Sequence, residues 1–225
     1  MSLSSLYKKE KNKCKQDPIY FINKYGKLFD PTRGKINFNC SKLQEKTIND
    51  FQAAKNSNSF AGKKNIFIKS RQLGFSTISA YYALWLALFY SNKSILILTT
   101  DNNNAIHFMK KIRTALIDLP RPFFDSVEKE TNQKIFFSTG SFINVSEYKD
   151  DICHSQSFDL LIVDEASYVK DLNKNWIVLA SSMKKDGEII ISVSDENNNI
   201  FRSLNPSFSL FLLERIGEFG LIMFK

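Results

Sequence analysis

Residues 65–88 constrain the fold more than any other stretch of the chain. The apolar run Asn65-Ile66-Phe67-Ile68-Lys69 is followed by the octamer Ser70-Arg71-Gln72-Leu73-Gly74-Phe75-Ser76-Thr77, then by an apolar segment from Ile78 to Leu88. The short run reads as a buried strand and the longer one as a buried helix, with a polar, Gly-containing loop between them. A loop that leaves a buried strand and opens a helix presents unpaired backbone N–H groups and the positive end of the helix dipole. Phosphate binds at such a place. Gly74 lets the backbone approach the phosphates, and Ser76 or Thr77 offers a hydroxyl to a magnesium ion.

The loop departs from the usual G-x-x-x-x-G-K-[ST] pattern. Phe75 stands where Lys is expected, and Lys69 stands at the first Gly position. Positive charge returns in Lys69 and Arg71, and a guanidinium can grip the β- and γ-phosphates bidentately. The candidate nucleotide-binding residues are therefore Lys69, Ser70, Arg71, Gln72, Gly74, Phe75, Ser76 and Thr77. On its own the segment also suits an ordinary strand-turn-helix connection.

A second segment favours the nucleotide reading. Phe158-Asp159-Leu160-Leu161-Ile162-Val163 is an apolar run that ends in Asp164-Glu165. A buried parallel strand reads as a continuous apolar run, and its C-terminal end faces the ligand crevice of an open α/β sheet. Asp164 is placed to hold magnesium, and Glu165 to orient and deprotonate an attacking water. The competing reading is a strand followed by a solvated acidic turn.

The 225 residues suit one large α/β domain. A formal charge of +8 permits contact with a nucleic-acid backbone without requiring it. Cys14, Cys40 and Cys153 lack metal-site spacing and, with no secretory signal, read as reduced cytosolic thiols. The longest apolar stretch, residues 80–90, is too short to span a bilayer. Residues 1–16 form a Lys-rich arm, disordered or helical, and residues 17–62 an entry region with helices over 19–25 and 43–55 around an Asp30–Gly34 turn. The core, residues 63–205, alternates strands (65–69, 94–99, 159–163, 188–193) with helices (76–90, 104–119, 172–183). That pattern predicts a mostly parallel central sheet flanked by helices. Strands near 134–138 and 142–146, closed by Thr139-Gly140, add a β-hairpin insertion or an antiparallel edge. Residues 206–225 read as a tail. His107 reads as a surface or boundary residue of an amphipathic helix, and Trp85 and Trp176 as core.

These segments together resemble the P-loop ATPase domain of the large terminase subunit of tailed bacteriophages, the motor that packages DNA into procapsids. Lys69–Thr77 is similar to that family's variant phosphate loop, and Leu161–Val169 to its acidic strand and following turn. Asp17-Pro18-Ile19-Tyr20-Phe21 and Asp30–Phe38 resemble its entry segment, which leads to a glutamine that recognises adenine. Spacing from Phe38 favours Gln44 for that role and spacing back from Ser70 favours Gln52; Gln44 is preferred. Ile189–Ser194 looks like the coupling strand, where Ser192 or Ser194 would sense the γ-phosphate. The resemblance implies ATP and Mg2+ as ligands and a phosphohydrolase reaction coupled to movement of double-stranded DNA. It further implies a portal protein, a small terminase subunit and a homo-oligomeric ring as partners, with no membrane, in the host cytoplasm.

Three departures qualify it. The family often has Arg-Gly shortly before the acidic strand, where this chain has His154-Ser155; a neutral imidazole cannot replace a guanidinium, so that catalytic role is absent or falls to Arg71. Ser194-Asp195-Glu196-Asn197 stands where T-P-N-G is frequent. Full-length relatives continue into a nuclease domain, so DNA cutting is not expected of this chain. Two other readings remain: a catalytically weak nucleotide-binding or scaffold remnant of the same fold, and a helicase-like translocase sharing the core.

Overall fold

The computed structural model of the chain describes residues 3–30, 32–58, 63–70, 73–120, 123, 126–148, 156–169, 172–194 and 220–224. In chain order these form α1 (Leu3–Gln16), α2 (Pro18–Tyr25), β1 (Lys27–Asp30), β2 (Gly34–Asn37), α3 (Lys42–Lys55), β3 (Lys64–Lys69), α4 (Phe75–Phe89), β4 (Ser94–Thr99) and α5 (Asn102–Ile117). There follow β5 (Val127–Glu130), β6 (Lys134–Phe137), β7 (Phe142–Glu147), β8 (Phe158–Val163), α6 (Leu172–Ser181), β9 (Met183–Ser194) and β10 (Gly220–Phe224). Eight strands make one sheet in the order β10-β3-β9-β8-β4-β7-β6-β5. Pairing is parallel from β10 through to β7 and antiparallel for β7-β6 and β6-β5. The hairpin expected around Thr139-Gly140 is therefore an antiparallel edge of the central sheet. Gly140 closes it at φ +74, a conformation glycine adopts without steric cost.

Period-two alternation splits the sheet's side chains between two cores. Phe67, Ile95, Ile97, Leu160, Ile162 and Ile190 face a larger cluster that takes in α1 through α5. Their neighbours Ile66, Ile68, Leu96, Leu98, Leu161, Val163, Ile189 and Ile191 face a smaller one capped by Leu172, Trp176 and Leu179 of α6. This is a three-layer α/β architecture with both sheet faces covered, which is why the inner parallel strands carry continuous apolar stretches such as Ile95–Leu98 and Leu160–Val163. Helix α4 fills the larger core: 14 of its 15 residues are buried, leaving only Ser76 partly exposed. Among the described residues no helix is long and apolar enough to cross a membrane.

Several elements differ from the sequence expectation. Helix α1 is not a free arm: Cys14 is fully buried and its carbonyl accepts a 2.8 Å hydrogen bond from the Trp85 indole. The hairpin β1-β2 is unforeseen, because its four-residue strands are half polar and only partly buried. Strand β5 escapes notice for the same reason. Residues 220–224, placed in a tail by the sequence reading, form the sheet-edge strand β10, registered from Gly220↔Asn65 to Phe224↔Lys69. Strand β9 begins at Met183, five residues early, and a register shift against β8 accommodates the polar stretch before Glu188.

Candidate functional site

The same alternation that sorts the core builds the site. Continuing each strand to its C-terminal end puts Lys69 in phase with Phe67, Asp164 with Ile162, and Ser192 and Ser194 with Ile190, so all four point to the face covered by α4. Helix α4 starts there. Its N-cap is Gly74, at φ +76 and ψ 16, and the amides of Thr77 and Ile78 turn back to the Gly74 carbonyl at 3.0 and 3.1 Å. The first N–H groups of such a helix have no intrahelical acceptor and are directed at the crevice.

Ser76 and Asp164 meet: the Ser76 hydroxyl donates to Asp164 Oδ2 at 2.7 Å. The other carboxylate oxygen, Oδ1, accepts from the Ser192 hydroxyl at 2.9 Å, and Ser192 Oγ in turn accepts from the Glu165 amide at 3.1 Å. Glu165 follows in the left-handed region, φ 55 and ψ 51, which costs a non-glycine residue about 1 kcal/mol or more and re-aims its side chain into the crevice. Its Oε1 accepts from Ser194 Oγ at 2.8 Å and is ion-paired with the Lys69 ammonium, which also donates to Ser194 at 3.0 Å. Oε2 of Glu165 is buried with no hydrogen-bond partner among the described residues, leaving acceptor capacity directed at whatever occupies the site.

Phe75 is not a ligand-facing side chain. It is 2 % exposed and packs its ring on Phe67 and Phe51 at 5.3 and 5.8 Å between centroids, so only its backbone serves the loop. Thr77 is buried in the first turn of α4, and Ser70 is exposed at the start of the loop. Arg71, Gln72, His154, Ser155 and residues 195–197 lie outside the described residues. Of the two glutamine candidates, Gln44 reaches the loop: its Nε2 donates to the Leu73 carbonyl at 2.9 Å. Its Oε1 accepts from the Ser41 amide, closing a capping box at the start of α3. Gln52 lies about two turns further along the same helix.

A cavity of about 210 Å³ opens beside the acidic pair. Ser76, Asp164 and Glu165 form one wall; Thr99 and Thr100 at the end of β4, with Asn104, His107, Phe108 and Lys111 of α5, form the other. A second cavity of about 320 Å³ shares His107 and Lys111 and continues between α4, α5 and β1. The sequence reading leaves α5 out of the site, and His107 is indeed exposed, yet it stands on the site's wall.

The donors at the floor are hard oxygens, one hydroxyl and one carboxylate in hydrogen-bond contact, and they fit a magnesium ion that completes its shell with phosphate oxygens and water. The left-handed Gly74, the open helix N-terminus and the buried Lys69 fit a polyphosphate.

The fold and this arrangement define the class: a P-loop nucleotide hydrolase fold, with the loop after one strand and the acidic pair after another of a mostly parallel sheet. No family model matches the sequence. The structure resembles the large terminase of bacteriophage HK97 at a TM-score of 0.66 and 14 % identity, over 93 % of this chain and 43 % of that one. It also resembles a variant of the ATPase domain of the Thermus phage P74-26 large terminase, at a TM-score of 0.58 and 14 % identity over 83 % and 81 % of the two chains. The ADP complex of the large terminase of a thermophilic bacteriophage aligns at 0.55 and 13 % identity, over 81 % and 44 %. The chain thus has the fold of a bacteriophage large-terminase ATPase domain and spans less than half the length of the full terminases it resembles.

Proposed function

We propose that this chain hydrolyses ATP as the motor domain of a viral DNA-packaging machine, coupling hydrolysis to translocation of double-stranded DNA. The observation that carries the reading is the double grip on the acidic pair. Asp164 is held by Ser76 of the loop helix on one oxygen and by Ser192 on the other, while Ser194 and Lys69 hold Glu165. Loss of a phosphate at the loop would thereby be felt at β9, on the coupling strand.

Backbone amides around Gly74 would cradle the phosphates, Lys69 and Arg71 would balance their charge, and Gln44 would face the adenine edge. Ser76 and Asp164 would hold Mg2+, which supplies Lewis-acid neutralisation of phosphate charge. Glu165 takes a proton from water as the water oxygen bonds to the γ-phosphorus and the bond to the ADP oxygen breaks. In this reading the functional unit is a homo-oligomeric ring working with a portal protein and a small terminase subunit in the host cytoplasm. It assigns no DNA cutting to residues 1–225.

A second reading is a nucleotide-binding module with little turnover, favoured by the pairing of Glu165 with Lys69, which occupies the base. The test is magnesium-dependent phosphate release from ATP, with and without double-stranded DNA, beside Glu165→Gln. The motor reading expects release that DNA stimulates and that falls by about a hundredfold or more in the variant. ATP binding with no release in either protein, DNA present, would leave the binding module.

A further inference from the structure

We propose that Lys111, on α5, is a further cation that meets the terminal phosphates of the nucleotide, from the wall opposite the loop. The inference rests on the ATP-binding reading and deepens it.

The loop itself is short of available positive charge among the described residues. Position 75 is committed to the core, where Phe75 packs between Phe67 and Phe51. Lys69 is 4 % exposed and engaged by Glu165 and Ser194. The facing wall adds a cation, on α5. Asn104, His107, Phe108 and Lys111 recur at the three- and four-residue spacing of one helix face, and all four line the cavity opposite Ser76, Asp164 and Glu165. Lys111 makes no ion pair among the described residues; its ammonium lies 5.6 Å from the Phe108 ring centroid, one turn back. Although the residue is exposed, desolvation pushes its ammonium below the ordinary lysine pKa, with Asp164 opposing the shift and Lys69 adding to it. Both charges at the floor of the site therefore act on it. The neighbouring cavity, lined by Lys27, Lys110 and Thr77, gives the long stem room on its other side.

A cation placed opposite the magnesium ligands meets the β- and γ-phosphates rather than the base or ribose, so it separates ATP from ADP. Binding is measured calorimetrically with Mg2+ and either ADP or a β,γ-imido analogue of ATP, on the full chain and on Lys111→Met, Lys111→Arg and Lys110→Met. The methionine retains the aliphatic stem. Loss of one charge-assisted contact predicts roughly tenfold to hundredfold weaker binding of the analogue by Lys111→Met. ADP should weaken far less, the arginine should restore the preference, and Lys110→Met should match wild type. An unchanged ratio of analogue to ADP affinity in Lys111→Met overturns the assignment and leaves the ATPase reading intact. Failure of the wild-type chain to bind either nucleotide removes both. A purely structural effect would lower both affinities and the melting temperature together, and it too would overturn the assignment.

Discussion

Glu188 and Ser194 share one face of β9, so the strand that ends at the candidate site carries a buried carboxyl six residues earlier. Glu188 is 3 % exposed; its Oε2 accepts from the Tyr82 hydroxyl at 3.1 Å and its Oε1 has no partner among the described residues. Burial pushes its pKa up to about 8, against the Tyr82 hydrogen bond and the Lys55 and Lys63 charges. Lys55, over Tyr90 and Trp85 at 3.6 and 4.7 Å, is pushed down to about 8, also by burial. For Glu188 the sign follows from proton counting. Between the unfolded carboxyl's value near 4.5 and the folded value near 8, the folded chain holds a proton that the unfolded chain has released. Stability therefore falls as pH rises through that window. Glu188→Gln removes this dependence. Denaturant titrations from pH 5 to 8 should show wild type losing on the order of 3 kcal/mol relative to the variant. Parallel profiles for the two proteins would mean that Glu188 is ionised in the fold.

At the scale of elements, the N-terminus of α3 buttresses the loop between β3 and α4. A Cβ added at Gly74 would lie 2.7 Å from Gln44 Nε2, and φ is +76 there, so the substitution is strained twice over. Gly74→Ala should cost about 1–3 kcal/mol of stability by thermal melting and displace Gln44 from the Leu73 carbonyl. Gln44→Ala should cost about 1 kcal/mol through the capping box and, if the amide reads adenine, bring ATP and GTP to equal affinity. The same loss of preference in Gln52→Ala, with Gln44→Ala still selective, would reverse the choice. Much of this was readable because it is local: strand, loop and helix are adjacent in sequence, and Asp164-Glu165 ends an apolar run. Gln44 and Gln52 could not be separated by spacing, since what decides between them is where α3 docks. Lys111 carries no signal of its own; a lysine on an amphipathic helix looks solvated until α5 packs beside α4. The Lys69–Glu165 pair likewise joins residues that only the sheet order brings together.

At the scale of the whole molecule, the N-terminal region is part of the core rather than an appendage to it. One face of α1 carries the exposed Lys8, Lys9 and Lys11, while the other packs Tyr7 on Phe123 at 5.6 Å and buries Cys14 against α4. Glu10 ties α1 to α2, accepting from Lys24 at 2.9 Å, Tyr25 at 2.8 Å and Tyr20 at 3.1 Å. Burial alone would raise its pKa, but these hydrogen bonds outweigh it and hold the carboxyl down at about 2. Removing residues 1–16 would therefore expose the Trp85 indole and leave its N–H without the Cys14 carbonyl, at a cost of several kcal/mol. In a Trp176→Phe background, where Trp85 is the one remaining tryptophan, the truncated chain should melt at lower temperature and emit at longer wavelength. Replacing Lys8, Lys9 and Lys11 by Gln should leave both readouts unchanged, because these side chains point to solvent. The two variants separate the packing face of α1 from its charged face. If truncation left the melting temperature and the emission maximum where they are, α1 would be the dispensable basic arm that its composition suggests. If the lysine variant melted early instead, the charged face would itself be structural.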